Sequence, residues 1–250
     1  MCSSDLDYSA ALFGEALQAE SVWIWTDVSG VFTMDPGIVK NANRIPELSF
    51  QEAAELANFG AKVLHPATLL PAMRAGIPVF VGNTFRPEQG GTWIRSTTES
   101  QPLARAVAIR KRQTLITVTS LRMLNAQGFL ARIFRTLAEH NLSVDLVTTS
   151  EISVALTIDS ASLGSGARPV AENQSLLDEL RAFSEVSVEE GLSLVALIGN
   201  HLTSTPQVGA RALKAVAPSN IRLVCHGASP HNLCFLVREE HSSSAAANLH

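Results

Sequence analysis

Three stretches carry residue types that could do chemistry. The first is Thr26-Asp27 in WTDVSGVFTMDP, residues 25–36, directly after the apolar run from Val22 to Trp25. In a parallel α/β sheet, ligands sit beyond the carboxyl ends of strands, so a hydroxyl and a carboxylate there could bind the ribose or amine edges of a nucleotide. An ordinary capped turn explains the same residues, because Asp and Thr bond their own backbone and Asp35-Pro36 starts a turn. Taken alone, the turn is the simpler reading. The second stretch is FGAKVLHP, residues 59–66. Lys62 there follows a Phe-Gly-Ala turn at a helix start, where free N–H groups and partial positive charge favour phosphate. A solvated lysine is the bland alternative, and His65 before Pro66 reads as a structural histidine. The third is SVDLVTTSE, residues 143–151. Asp145, Thr149, Ser150 and Glu151 offer acceptors for an ammonium group, while the helix opening at GFLARIF could take a carboxylate on its free N–H groups. A zwitterionic amino acid would find both halves of a site. A half-exposed strand edge with polar residues facing water fits the pattern equally well.

Other groups carry less. His226 and His231 flank a Gly-Ala-Ser turn and read as hairpin polar residues. Cys225 and Cys234 lie in apolar strands and read as core. No Ser-His-Asp order, metal-ligand spacing or G-x-x-x-x-G-K-[ST] loop is present.

These stretches need elements to hold them. Residues 9–20 read as helix and 22–26 as strand. Ser49 with Glu52 three residues on makes a capping box for a helix over residues 49–58. Gly60 marks a turn. Pro66 opens a further helix and Gly76 closes it. IPVFVGN, residues 77–83, is a buried strand, and RPEQGGTWI a loop leading into a short one. The polar stretch over residues 96–112 reads as a boundary. After it, strand, helix, strand, strand, helix occur in order, and then again in the same order. Internal repetition of this kind outranks single-element readings and implies two ferredoxin-like units.

The 250 residues, 46% hydrophobic and 17% charged, suffice for one large or two modest α/β domains. A formal net charge of −4 with no basic stripe gives no argument for nucleic acid. Three cysteines are too few and too oddly spaced for a disulfide framework or a zinc site, and a reducing cytoplasm is the simplest home. No run approaches a membrane span and no signal-peptide pattern opens the chain.

Placed in order, IWTDVSGVFTMDP, FGAKVLHPATLLPA, IPVFVGN, GFLARIF, SVDLVTTSE, LVALIGN and HGASPHNLCFLV resemble the aspartate kinase family, more narrowly its lysine-sensitive bacterial members. The likeness runs from about Asp7 to Val237. It implies a partial amino-acid-kinase sandwich followed by two ferredoxin-like ACT domains (βαββαβ). The expected division is a nucleotide-binding part over residues 1–97, a linker over 98–112, and ACT domains over 113–190 and 191–250. The implied reaction is ATP-dependent phosphorylation of the L-aspartate side chain. ATP with Mg2+ is the substrate complex, there is no prosthetic group, L-lysine is the effector, and ACT pairing makes a homodimer or higher homo-oligomer. Neither nucleic acid nor membrane is an implied partner. By resemblance, Asp7 falls near the transferred phosphate, and Thr26, Asp27, Phe32 and Lys62 touch the nucleotide. Met123, Gly128, Phe129, Leu130, Ser143, Val144, Asp145, Thr149, Ser150 and Glu151 match positions that hold the effector.

The departures also shape expectation. Nothing corresponds to the family's KFGGTS-like opening strand, and SSDL at residues 3–6 replaces an Arg-Gly-Gly-Ser. Phe32 replaces a common tyrosine, Gly37 an arginine and Ala126 a serine. The expected molecule is a carboxyl-terminal piece of an aspartate kinase with little activity by itself, its MCSSDL opening being unrelated sequence. A non-catalytic amino-acid sensor is the alternative.

Overall fold

The computed structural model describes residues 3–61, 64, 66–124, 126–160 and 169–250. The first half contains α1 (Ser3–Leu17), β1 (Val22–Thr26), β2 (Glu47–Ser49), α2 (Phe50–Asn58), α3 (Pro66–Ala75), β3 (Val79–Asn83) and β4 (Gly91–Arg95). Its four strands lie in the order β1-β3-β4-β2. β1 and β3 are parallel, whereas β4 runs antiparallel to β3 with β2 parallel beside it. Alternation along β1 sends Val22 and Ile24 into a core with Val79, Val81, Ile94, Leu56, Leu69 and Ala72. The opposite face carries aromatics instead. Trp23, Trp25, Phe80 and Trp93 stack with ring centroids 4.6–5.8 Å apart. Trp23 and Trp25 remain 51% and 45% exposed, so no described residue fully covers that end of the face.

The second half contains β5 (Ala104–Thr119), α4 (Phe129–Glu139), β6 (Val147–Thr149), β7 (Ser153–Asp159), α5 (Gln174–Arg181), β8 (Glu185–Gly199), α6 (Val208–Val216), β9 (Leu223–His226), β10 (Asn232–Arg238) and α7 (Glu239–Leu249). The expected duplication is present as β5-α4-β6-β7-α5 and β8-α6-β9-β10-α7. The two repeats merge into one six-stranded antiparallel sheet, β6-β7-β5-β8-β10-β9. Ile133 and Leu137 of α4 and Leu176 and Leu180 of α5 cover Ile116, Val154 and Leu156. Val208 and Ala212 of α6 and Ala245 and Ala246 of α7 cover Val107, Val195 and Phe235. No described helix is long and apolar enough to cross a membrane.

Three details correct the sequence reading. Residues 104–112, expected as linker, form the first half of β5, and Ala104–Arg110 pairs with the second half of β8. The charged run Arg110-Lys111-Arg112 hid the strand. It falls at an irregularity between Arg110 and Gln113 where Arg112 takes φ 58°, and Arg110 is neutralised by Asp145 and Asp159. VSVEE and SLVALIGN, read as separate strands, are one strand through Gly191 at φ 71°. SVDLVTTS, read wholly as strand, pairs in the ladder only over Val147–Thr149. Before it, Asp145 N donates to Thr157 O and Thr157 N to Leu146 O.

The halves are joined by buried and half-buried polar contacts. Glu52 accepts from Arg105 Nε and from Asn200 Nδ2, both at 2.8 Å, and Glu55 accepts from Ser229 Oγ at 2.7 Å and Asn232 Nδ2 at 2.8 Å. Val107 N also donates to Thr33 O at 2.8 Å. β5 and β8 pack closely where they leave the loop at Leu103. A Cβ on Gly199 would fall on the Leu103 carbonyl. Gly199→Ala is therefore expected to cost about 1–3 kcal/mol as an overpacking substitution, read as a lower urea midpoint.

Candidate functional site

β1 and β3 end side by side, with Thr26 opposite Asn83. Beyond them, Thr26 Oγ1 donates to Asp27 Oδ1 at 3.1 Å, and Asn83 Nδ2 donates to Asp27 O at 3.1 Å and Ser29 Oγ at 3.2 Å. Ser29 Oγ donates to Gln89 Oε1 at 2.9 Å. Gly30 takes φ 95° and passes so close to β4 that a Cβ would lie 2.6 Å from Thr92 Oγ1. That hydroxyl accepts from Val31 N and donates to Ile45 O. The loop is thereby clamped, and Phe32 bridges Arg44, whose Nη1 donates to Gly91 O at 2.9 Å. Thr26, Asp27 and Phe32 thus share one end of the sheet. Asp27 is exposed there, at the strand-end position where parallel sheets take ligands. Asn83, Ser29 and Gln89 were missed on sequence. The signal for Asn83 was a polar residue closing an otherwise apolar buried strand.

Asp7 is half-buried on α1, and burial holds its carboxyl above the ordinary aspartate value of 3.8. Gly14, two turns later, abuts Val22 at the start of β1. α1 therefore packs against the start of β1 through Gly14. Among the described residues, no hydrogen bond joins Asp7 to Thr26 or Asp27. Lys62 and His65 lie outside the described residues. Gly60 before them takes φ 97° and lies against β5, with a Cβ position only 2.6 Å from Ile109 O.

The second constellation lies at the β6 edge of the large sheet. Met123 sits in a short 3-10 turn after β5, and Thr149, Ser150 and Glu151 lead into the turn after β6. These turns adjoin, since Ser120 N donates to Ile152 O at 2.8 Å and Thr119 pairs with Ser153. Ser150 Oγ and Ser153 Oγ bond at 2.7 Å. Met123, Phe129 and Val144 pack on one cluster, which draws the start of α4 and the Ser143–Asp145 segment together. Gly128 caps α4 in a left-handed conformation and, being glycine, offers no side-chain acceptor to the first N–H groups of the helix. Leu130 and Ser143 are exposed.

Asp145 stands apart from the turn, four extended residues or about 13 Å from Thr149. Its Oδ1 is 3.4 Å from Arg110 Nη1, and its Oδ2 is buried with no hydrogen-bond partner among the described residues. Burial pushes this carboxyl above 3.8, the charge of Asp159 adds to the rise, and Arg110 and a hydrogen bond from the Asp159 backbone pull it back in part. Arg110 and Asp159 were missed on sequence because one fell in the supposed linker. Among the described residues, no group of three or more His, Cys, Asp or Glu could hold a metal ion.

A four-stranded mixed sheet joined to a duplicated βαββα sheet defines the class: an amino-acid-kinase part coupled to paired ACT units. Comparison with known proteins agrees. The amino acid kinase family matches residues 4–83, and the ACT domain matches residues 116–173 and 195–250. The chain is 56% identical over 244 residues to lysine-sensitive aspartokinase 3 of Escherichia coli, covering 98% of this chain and 54% of that protein. It is 36% identical to the chloroplastic aspartokinase 1 of Arabidopsis thaliana, covering 98% of this chain and 43% of that one. The crystal structure of E. coli aspartokinase III with aspartate and ADP superposes with a TM-score of 0.90 at 55% identity, over 99% of this chain and 55% of that one. Its complex with lysine and aspartate gives 0.84 at 56% identity, over 98% and 54%. The chain belongs to the aspartokinase family. It spans about half the length of the curated relatives it matches.

Proposed function

We propose that this chain supplies the nucleotide-binding side and the lysine-sensing part of an aspartate kinase. In that enzyme ATP, entering with Mg2+, phosphorylates the side-chain carboxylate of L-aspartate in the cytoplasm, at the start of lysine, threonine and methionine biosynthesis. The observation that carries the reading is the coexistence of two sites in one chain. One is the Thr26–Asp27 strand end beside Asn83; the other is Asp145, with a buried carboxylate oxygen that has no hydrogen-bond partner among the described residues. Phosphoryl transfer to a carboxylate asks little covalent help of a protein. The acceptor is already a nucleophile, and positioning with charge neutralisation does most of the work. Thr26, Asp27 and Phe32 orient the nucleotide, Lys62 meets its phosphates, and Asp7 stands by the transferred group.

L-lysine is proposed to bring its ammonium to Asp145 and its carboxylate to the start of α4, with Met123, Phe129, Leu130 and Ser143 to Val144 lining it and Thr149 to Glu151 closing one end. The separation between Asp145 and the turn favours a site shared with a second copy. Leu124, Leu130, Phe134, Val147 and Ile152 are exposed around it, which supports pairing of this edge into a homodimer. Lysine binding should carry a pH signature. An ammonium partner favours the charged carboxylate, whose free-state pKa lies above 3.8. Affinity should therefore fall on acidification as Asp145 takes up its proton, beginning at a higher pH than for an ordinary aspartate. Titrations across pH 4–7, with Asp145→Asn removing the dependence, check this.

A second reading, an amino-acid sensor without catalysis, is favoured by the exposed Trp23 and Trp25 of the first sheet. A coupled ATP–aspartate assay separates the two. The sensor reading expects no turnover while lysine still binds. The enzyme reading expects phosphoryl transfer that depends on both ATP and L-aspartate.

A further inference from the structure

Two of the cysteines stand directly opposite one another. Cys225 on β9 and Cys234 on β10 are register partners in an antiparallel pair, so both side chains project to one face of the sheet. That face packs against α2: Cys234 shares a cluster with Leu56, Ala196 and Leu236, and Cys225 packs against it. Both thiols are free. Opposed residues in antiparallel strands have Cα atoms about 4.5–5.5 Å apart. A disulfide spans about 4.4–6.8 Å. The two thiols differ in access, Cys225 being half-buried and Cys234 fully buried. Cys234 Sγ donates to Asn232 Oδ1 at 3.6 Å, and Asn232 Nδ2 donates to Glu55 Oε2 at 2.8 Å. The pair therefore lies directly beneath an anchor that joins α2 to the regulatory sheet. Neither thiol has a part in the function proposed above.

We propose that Cys225 and Cys234 form a dithiol–disulfide modification site, closed across the β9–β10 hairpin by an oxidant of the peroxide class. The Cys225 thiolate attacks one peroxide oxygen, the O–O bond breaks, water leaves and Cys225 becomes a sulfenic acid. Cys234 then attacks that sulfur, the S–O bond breaks, a second water leaves and the S–S bond forms. Two thiols lose two electrons in all, and one hydrogen peroxide is reduced to two waters. Burial raises both thiols above the ordinary value of 9.0, so closure is slow at neutral pH and quickens as pH rises. In a reducing compartment the dithiol is the resting form and the disulfide a transient one.

The test uses the 250-residue chain with Cys2→Ser, which removes the third thiol. The reduced, folded protein is exposed to hydrogen peroxide at pH 8, alkylated, digested without reduction and weighed. The expected product is one linked peptide pair holding Cys225 and Cys234, two hydrogens lighter than the free peptides, formed while circular dichroism stays native and lost with dithiothreitol. In a Cys234→Ala variant, Cys225 sulfenic acid should instead be trapped by dimedone. Absence of the linked pair under native conditions, its formation only in urea, or oxidation of Cys225 alone in the presence of Cys234 would each overturn the proposal. Mass is the readout, so the outcome is independent of nucleotide or lysine binding.

Discussion

Glu52→Ala is expected to lower the unfolding free energy by about 3–5 kcal/mol, the loss seen when one partner of a buried ion pair is removed. Glu52 is 1% exposed and the Arg105 side chain 7%. The carboxylate takes hydrogen bonds from Arg105 Nε, Asn200 Nδ2 and Ser49 N, each at 2.8 Å. Alanine leaves the guanidinium buried with the Ser100 carbonyl as its remaining acceptor and removes half of the α2 capping box. A Glu52→Gln change keeps the volume and an acceptor and should cost less. Burial alone would raise the Glu52 pKa, but Arg105, the Ser49 amide and Asn200 together hold it below the ordinary 4.5. For a carboxyl lowered in the folded state, the stability is present above 4.5 and is lost as pH falls through the folded value. Wild-type and Glu52→Ala urea midpoints should therefore converge on strong acidification. Equal midpoints at pH 7 would contradict the arrangement.

Asp145→Ala is expected to weaken L-lysine binding about 10- to 100-fold, the range for a lost hydrogen bond to a charged group. Little stability should go with it. Arg110 keeps Asp159, bonded through Nε at 3.1 Å and Nη2 at 2.8 Å, and the buried Oδ2 of Asp145, with no hydrogen-bond partner among the described residues, is a cost to the free protein. Binding lost with the urea midpoint nearly unchanged distinguishes a ligand-facing carboxylate from a structural one. Arg110→Ala should behave in the opposite manner, destabilising the fold by leaving two facing carboxylates.

Much of this was legible in the sequence. The Ser49–Glu52 capping box, the end of α3 at Gly76 and the duplicated element order all follow from local chemistry, and local chemistry survives tertiary context. The long strands did not show themselves. β5 and β8 each serve both repeats, and the residues at their midpoints, Arg110 to Arg112 and Gly191, look like breaks when read locally. Only pairing across the sheet turns a basic run into a strand with an ion pair. The candidate sites divide similarly. Thr26, Asp27 and Asp145 could be named from residue type and position. Asn83 and Arg110 gain their meaning from neighbours 56 and 35 residues away, Asp27 and Asp145, which no spacing rule connects.

The claim on which the account rests is that the duplicated sheet binds a zwitterionic amino acid through Asp145. Calorimetric titration of L-lysine into the purified, folded chain tests it directly. Saturable heat that is lost or right-shifted at least tenfold in Asp145→Ala is the predicted result. No heat at millimolar lysine from the folded protein, or an unchanged isotherm in the variant, would contradict it.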